Sequence, residues 1–273
     1  MSLTSIGQII VIYGGLFLLV AGVIGNGMNI LVFGTIQSYR TTPCTFYFLI
    51  TSIANLIYLL IILSIRIIST ILTIDLARIS IVWCKSRIFL IGVCSFTSLA
   101  GSCLAMIDQF FMTSQNANLR RCSCNNTKWP HRIIFIVLML SCIQGIPSFI
   151  YYDISSITNA CVVNNSAYSL YVAIYPLILT STIPVSIMIL FACLTYRNIR
   201  LTRGLTRQYA DRQLTRMTLI QVIFIVVSII PYGIDTAYNL FTSQMIKDTD
   251  RIAKESFALT VFLMSSYIYY VVR

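Results

Sequence analysis

Seven long apolar stretches run through this chain of 273 residues, and they limit its possible folds more than any other feature. They cover residues 9–36, 44–72, 88–107, 133–152, 168–195, 214–240 and 252–272. Each has about 20 residues or more, which is the length that a helix needs to cross a bilayer. Helices are expected because lipid offers the backbone no hydrogen-bond partner. The sequence therefore predicts an all-α fold, an integral membrane bundle of seven transmembrane helices that forms a single domain over residues 1–273.

The charged residues indicate how this bundle is oriented. Only 10% of the chain is charged, against about 25% in a soluble domain. With the N-terminus outside, 12 of the 19 Lys and Arg residues fall on the inner side, where they leave a net charge of +10 after Asp108 and Asp211 are counted. Basic residues favour the cytoplasm, so we expect the N-terminus outside and the C-terminus inside. Because this placement accounts for the charge, nucleic acid is not an expected partner. The Arg-rich inner loop could attract anionic lipids, a protein partner, or both.

Two cysteines stand apart from the others, most of which lie inside the apolar stretches. Cys84 precedes the third stretch and Cys161 follows the fourth, so both lie on the outer side. Disulfides persist in that oxidising compartment, and we expect these two to pair. The sequon at Asn164 lies in the same outer loop and is a candidate for glycosylation. A second sequon at Asn125 faces the cytoplasm and should remain unmodified.

Four polar residues inside the stretches require a partner or a task, because polar groups are costly in lipid. Asn26 and Asn55 lie midway along the first and second stretches, where a hydrogen bond between them could pack the two helices. Arg66 lies in the outer half of the second stretch. It could extend to the interface or bind an anionic group of a ligand. Asp235, in the sixth stretch, is the corresponding acidic candidate, and the two could also pair with each other.

The acid at the end of the third stretch marks the inner boundary of the membrane. Asp108 follows Cys84 by 24 residues, which as helix is about 36 Å and slightly more than the hydrocarbon thickness. We therefore expect Asp108 to end the third helix at the cytoplasmic face. Prolines within the fourth, fifth and sixth stretches predict kinks, and Pro231 kinks the sixth helix.

Short motifs follow one another in the order of a known receptor family. "GN" (25–26), "SIANL" (52–56) and "IDQF" (107–110) resemble the first-helix motif, the Leu-Ala-x-x-Asp motif and the Asp-Arg-Tyr motif of rhodopsin-like (class A) G-protein-coupled receptors. "SIIP" (228–231) and "SYIYY" (266–270) resemble its Cys-Trp-x-Pro and Asn-Pro-x-x-Tyr motifs. The stretch after Pro184 is similar to the fifth helix of invertebrate neuropeptide receptors. The chain is identified as a divergent member of this family.

The resemblance implies a multi-pass receptor of the plasma membrane that transmits an extracellular signal by outward movement of the sixth helix about Pro231. Its implied partners are an extracellular ligand, with a neuropeptide as the first candidate, a heterotrimeric G protein at the cytoplasmic face, and membrane lipids. The resemblance implies no cofactor, no metal and no enzymatic activity. The ligand is expected near Arg66, Ile91 and Asp235. The residues expected at the switch and the G-protein site are Asp108, Gln109, Pro231, Tyr270, Arg212 and Arg216.

The chain also departs from the family pattern at informative positions. Asn55 replaces an acid, so the sodium pocket of the family is not expected. Gln109 replaces the arginine that meets the G protein, which predicts weak coupling. Ile91 stands where amine receptors carry an aspartate, and Thr260 stands where opsins carry the retinal-binding lysine. Neither an amine nor retinal is therefore the expected ligand, which leaves a peptide or another small extracellular molecule.

Three other functions would each require a different feature in the sequence. A transporter or channel would show inverted repeats and ionisable residues at the membrane midplane, and the sequence has neither. A membrane enzyme would need a nucleophile with a base or a metal site, yet the single histidine, His131, lies in an inner loop. A receptor-like protein that binds a partner without signalling would fit the replacement of arginine by Gln109.

Overall fold

A computed structural model describes residues 2–35, 43–73, 80–114, 116, 128–155, 160–201, 209–242, 245 and 247–272. For residues 43, 128, 201 and 209–214 only the backbone is described. Across these ranges the chain forms seven long helices and one short β-hairpin. The predicted all-α bundle is confirmed.

The first three helices cover the N-terminal part of the chain. Helix α1 runs through Leu3–Ile9, a π-helical turn at Ile10–Gly14, and Gly15–Thr35. Helix α2 likewise consists of Pro43–Tyr58, a π-helical turn at Leu59–Leu63, and Ser64–Leu72. Helix α3 is unbroken over Ile81–Thr113.

Four helices and the hairpin complete the fold. Helix α4 covers Lys128–Tyr151, and the antiparallel strands β1 (Tyr152–Ile154) and β2 (Cys161–Val163) follow it. Helix α5 consists of Ser166–Tyr175, a π-helical segment Pro176–Thr182 that starts at a proline, and Ile183–Leu201. Helix α6 is Tyr209–Phe241 and contains Pro231, and helix α7 is Thr249–Val271.

The helices extend beyond most of the predicted apolar stretches, and α3 shows the consequence most clearly. We expected this helix to end at Asp108, but it continues to Thr113, and Asp108 is only 8% exposed. Nothing in the following "QFFMT" segment disfavours helix, and the Thr113 hydroxyl donates to the Gln109 carbonyl. The expectation that Asp108 ends the helix is therefore wrong: the apolar run stops there, whereas the helix does not.

Packing in the bundle places α3 at the centre, in contact with α2, α4 and α5, while α7 packs between α1 and α6. The buried core includes Leu59, Leu63, Met106 and Ile225. Many large apolar side chains instead point outward, and Phe17 is 72% exposed. Such a surface suits lipid rather than water, and many of the buried positions are Ser, Thr and Asn, as in membrane helix interfaces.

Among the described residues, six of the helices are long and apolar enough to cross a membrane. Helix α7 is the seventh, and its first turns carry the charged residues Asp250, Arg251, Lys254 and Glu255. Glu255 accepts from Lys247 at 2.6 Å and from Nε of Arg251 at 2.9 Å, and Tyr238 of α6 donates to it at 3.0 Å. This cluster joins the outer ends of α6 and α7.

Candidate functional site

The outer half of the bundle contains a cavity of about 230 Å³ with a wall rich in tyrosine. Ile91 of α3, one of the predicted ligand residues, lines it. No charged side chain is found among the described residues of its wall. Seven tyrosines from five parts of the fold contribute to the wall: Tyr58, Tyr152, Tyr168, Tyr171, Tyr175, Tyr232 and Tyr270.

A wider cleft of about 700 Å³ adjoins this cavity, and the two share Tyr58, Ile91, Tyr232 and Leu263 in their walls. Its wall differs from that of the cavity because it contains two guanidinium groups, those of Arg66 in α2 and Arg87 in α3. Among the described residues, no aspartate or glutamate lines this cleft. The cavity is thus apolar and aromatic, whereas the cleft beside it is basic.

Arg66 has an unusual environment for a charged side chain in a transmembrane helix. Its Nε atom is buried and finds no hydrogen-bond partner within the described ranges. A third cleft of about 420 Å³, between α1, α2 and α7, also borders this side chain. This position of Arg66 agrees better with a residue that faces a cavity than with one that extends to the membrane interface.

Asp235, the other charged residue predicted for the ligand site, lies elsewhere. It is 6% exposed in α6, and Nδ2 of Asn239 donates to its Oδ2 at 3.0 Å. It lines none of the three cavities described above. The alternative that Asp235 pairs with Arg66 is not observed among the described residues. Contact between Asp235 and a ligand stays a prediction.

The β-hairpin lies over the cavity and is held in place by a disulfide. Cys84 at the start of α3 and Cys161 in β2 are bonded, with a Cα–Cα distance of 5.9 Å, which confirms the predicted pair. Tyr152 of β1 lines the cavity. Burial raises the pKa of the Tyr152 phenol, although the Arg87 guanidinium opposes this rise, so the group is neutral at physiological pH. Asn164 follows β2 and is exposed on the same side.

Below the cavity, a chain of buried hydrogen bonds joins four helices. The Ser98 hydroxyl of α3 donates to Oδ1 of Asn55 in α2 and contacts the hydroxyl of Tyr269 in α7 at 2.9 Å. That hydroxyl lies 2.8 Å from Oγ of Ser102, which accepts from Nε2 of Gln221 in α6 at 3.3 Å. We call Asn55, Ser98, Ser102, Tyr269 and Gln221 the buried polar chain. It contains no carboxylate.

From the sequence, the amides of Asn26 and Asn55 could bond to each other, and Tyr270 was expected at the inner switch. Instead, Asn55 belongs to the buried polar chain, and Nδ2 of Asn26 donates to the Tyr270 carbonyl at 2.9 Å. The Tyr270 ring stacks on Tyr58 at 4.2 Å and lines the outer cavity. Because this cavity lies in the outer half of the bundle, the Tyr270 ring lies away from the inner face. The assignment of Tyr270 to the inner switch is therefore not supported.

At the inner end, one side-chain contact joins α3 to α6. The hydroxyl of Thr215 in α6 donates to Oε1 of Gln109 in α3 at 2.7 Å, and both residues are buried. Asp108, beside Gln109, lies within electrostatic range of the Tyr47 hydroxyl of α2. Arg216 follows Thr215 on α6 and is exposed. The side chain of Arg212 falls outside the described residues.

Several residues of these sites were not singled out from the sequence. Arg87 and most of the cavity tyrosines lie near the outer ends of helices, where a charge or a tyrosine is unremarkable. Ser98 and Ser102 are spaced by one helical turn, so they share a face of α3. That spacing and the amide of Asn55 within the second apolar stretch were the available signals of the buried polar chain.

Comparison with known proteins identifies one family. The family model described as the seven-transmembrane receptor (rhodopsin family) matches residues 25–270. Comparison with curated proteins finds no match. The matched residues extend from Gly25 in the inner half of α1 to Tyr270 near the end of α7. They contain the wall of the cavity, the buried polar chain, and the wall of the basic cleft except for Gln8.

Proposed function

Because the chain belongs to the rhodopsin family of seven-transmembrane receptors, we propose that it binds an extracellular ligand in the outer cavity and signals by moving the inner end of α6 away from α3. Membership of the family makes the chain a multi-pass protein of the plasma membrane that signals across it as a G-protein-coupled receptor. The ligand site, the movement of α6 and the residues of the switch are the parts that we propose.

The position of the cavities supports the ligand site. The 230 Å³ cavity and the adjoining 700 Å³ cleft lie between the helices under the disulfide-bonded hairpin. Ligand pockets are concave, mostly apolar and contain a few polar groups that orient the ligand. Ile91 and Arg66 then contact the ligand, and a neuropeptide is one candidate for it.

The contact between Gln109 and Thr215 carries the proposed switch. In the family, the position of Gln109 holds an arginine, whereas here a neutral amide accepts one hydrogen bond from α6. Such a bond contributes about 0.5–1.5 kcal/mol, so it holds the two helices together only lightly. Movement of α6 about Pro231 would break this bond and open the inner face for a G protein near Arg212 and Arg216.

The Thr215→Val variant tests this switch because valine keeps the shape of threonine and removes the donor. We expect basal G-protein activation, measured as nucleotide exchange in reconstituted membranes, to rise by up to about tenfold, which corresponds to about 1.4 kcal/mol. Thr236→Val is the matched control, since its hydroxyl donates to the Tyr232 carbonyl within its own helix and makes no contact with Gln109. An equal rise in both variants would count against the Gln109–Thr215 switch.

Gln109→Arg separates a working receptor from a non-signalling one. It restores the cation that the family uses, so we expect it to raise ligand-stimulated G-protein activation above that of the unaltered chain. Strong activation by the unaltered chain that this variant leaves unchanged would show that Gln109 does not limit coupling. If neither Gln109→Arg nor Thr215→Val produces activation, the chain is better described as a receptor-like protein that does not signal.

A further inference from the structure

We propose that the outer site accepts an amphipathic acid. Arg66 binds its carboxylate in the basic cleft, which Arg87 also borders, and its aromatic or aliphatic group enters the tyrosine-lined cavity. This inference rests on the proposed function, since it specifies the ligand of the same site.

Arg66 places a charged side chain within a transmembrane helix and buries one of its donors, Nε. A charged side chain within a transmembrane segment is expensive unless it has a partner, and a buried donor without an acceptor adds to that cost. Arg66 meets both conditions: Nε is buried without an acceptor in the described part of the chain, and the cleft that it borders presents no described carboxylate. A ligand carboxylate would supply the missing anion.

A second arginine, Arg87, lies on the same cleft as Arg66. Arg87 lies one turn after the disulfide residue Cys84 and faces the cleft from α3, while Arg66 borders it from α2. A guanidinium group binds a carboxylate through two parallel N–H···O bonds. Two guanidinium groups on one cleft favour an anion and disfavour a cation. The tyrosines could in principle form a cage for an ammonium group, but the charge of the adjoining cleft disfavours such a ligand.

Size and polarity indicate how such a ligand is divided between the two spaces. The volume of about 230 Å³ is below the range of about 300–1,000 Å³ that is usual for whole ligands, whereas 700 Å³ lies within it. The tyrosine-lined cavity therefore has room for one group rather than a complete molecule. Its tyrosine rings favour an aromatic or aliphatic group. The acid remains in the cleft beside the arginines.

This chemistry has two natural sources, a free organic acid and the C-terminal carboxylate of a short peptide. Matched probes distinguish them. The first set is 4-phenylbutyrate, its primary amide and 4-phenylbutylamine. The second is N-acetyl-Phe-Phe with a free or an amidated carboxyl group. Binding is measured as the shift in the thermal unfolding midpoint of the full chain in nanodiscs of phosphatidylcholine, which carries no net charge and so does not compete with the acids.

We expect at least one acid to stabilise the protein, and its amide to require at least tenfold higher concentration for the same shift. Arg66→Gln should abolish this difference and Arg66→Lys should retain part of it. The control Lys254→Gln removes the same charge from the outer end of α7, where Lys254 pairs with Asp250 on the surface, and should have no effect. The set of probes that binds identifies the source.

Equal binding of acid and amide, preference for the amine, no shift with either acid, or an unchanged preference in Arg66→Gln would each overturn the acid proposal. Ile91→Phe tests the proposed site separately, since a larger side chain fills the cavity. Suppose that acid and amide bind equally well to the unaltered chain and that Ile91→Phe weakens the binding of both. The proposed ligand site is then supported and the preference for an acid is wrong. If it weakens no probe that binds the unaltered chain, the proposed ligand site itself is wrong.

Discussion

Tyr269 and Tyr270 show how much two adjacent residues of the same type can differ. The Tyr269 hydroxyl lies within 2.9 Å of Ser98 and 2.8 Å of Ser102, in the middle of the buried polar chain. Tyr270 contributes its ring, which stacks on Tyr58, and its carbonyl, which accepts from Asn26. The first residue acts through its hydroxyl and the second through its ring and backbone.

We therefore expect Tyr269→Phe to destabilise the protein more than Tyr270→Phe. Hydrogen bonds between membrane helices contribute about 0.6 kcal/mol on average and up to about 1.7 kcal/mol, and Tyr269 loses two. A decrease of about 1–2 kcal/mol in the free energy of unfolding is expected for Tyr269→Phe, measured by thermal unfolding in nanodiscs. Tyr270→Phe retains the ring and the carbonyl and should have a smaller effect. Equal losses would contradict the roles assigned to the two residues.

At the scale of helices, α2 and α3 approach closely because Gly101 has no side chain. A Cβ atom there would clash with Cγ2 of Thr51, and the Thr51 hydroxyl is already bonded to the carbonyls of Tyr47 and Phe48. Thr51 cannot turn away without losing those bonds. Gly92 lies on the same helix, yet a Cβ atom at this position would meet nothing within 4 Å.

Gly101→Ala should therefore lower the free energy of unfolding by about 1–3 kcal/mol, the usual cost of overpacking. Gly92→Ala should be neutral or raise it, because alanine favours helix over glycine by up to about 1 kcal/mol. Thermal unfolding of both variants with the same method provides the comparison. A loss of similar size in Gly92→Ala would indicate a general sensitivity of α3 to alanine rather than close packing against α2.

The disulfide connects two elements that are 77 residues apart in the chain. Cys84→Ser and Cys161→Ser should each reduce surface expression, since losing such a bond costs about 2–5 kcal/mol. The double variant should be no worse than either single one, because both remove the same bond. Cys193→Ser, at a free and exposed cysteine, is the control. Additive losses, or mass spectrometry that finds both thiols free, would contradict the bond.

At the scale of the whole molecule, the orientation in the membrane can be tested through the two sequons. Asn164 is exposed directly after the outer hairpin, so we expect a glycan there in a eukaryotic host. Asn164→Gln should then abolish the gel shift that a glycosidase produces, and Asn125→Gln should leave it unchanged. A glycan at Asn125, which belongs to the inner loop and lies outside the described residues, would reverse the predicted orientation.

The number of helices, their membrane location and the family follow from the sequence because each depends on local properties. Apolar length predicts a transmembrane helix without reference to its neighbours, and the order of motifs identified the family that the comparison confirmed. The pairing of Cys84 with Cys161 was predictable too, because it required knowing only on which side of the membrane each cysteine lies. The end of α3 could not be predicted in this way, since the helix continues to Thr113, beyond the end of the apolar stretch.

The contacts between helices could not be read from the sequence, because they depend on how each helix is rotated about its axis and placed in depth. A shift of one residue turns a helix by about 100°, which is enough to separate the roles of Tyr269 and Tyr270. The same freedom gave Asn26 and Asn55 different partners and left Asp235 outside the walls of the three cavities described here. In the sequence, Arg66 is a charge within an apolar stretch. The packing of α1, α2, α3 and α7 placed it on a cleft that Arg87 also lines.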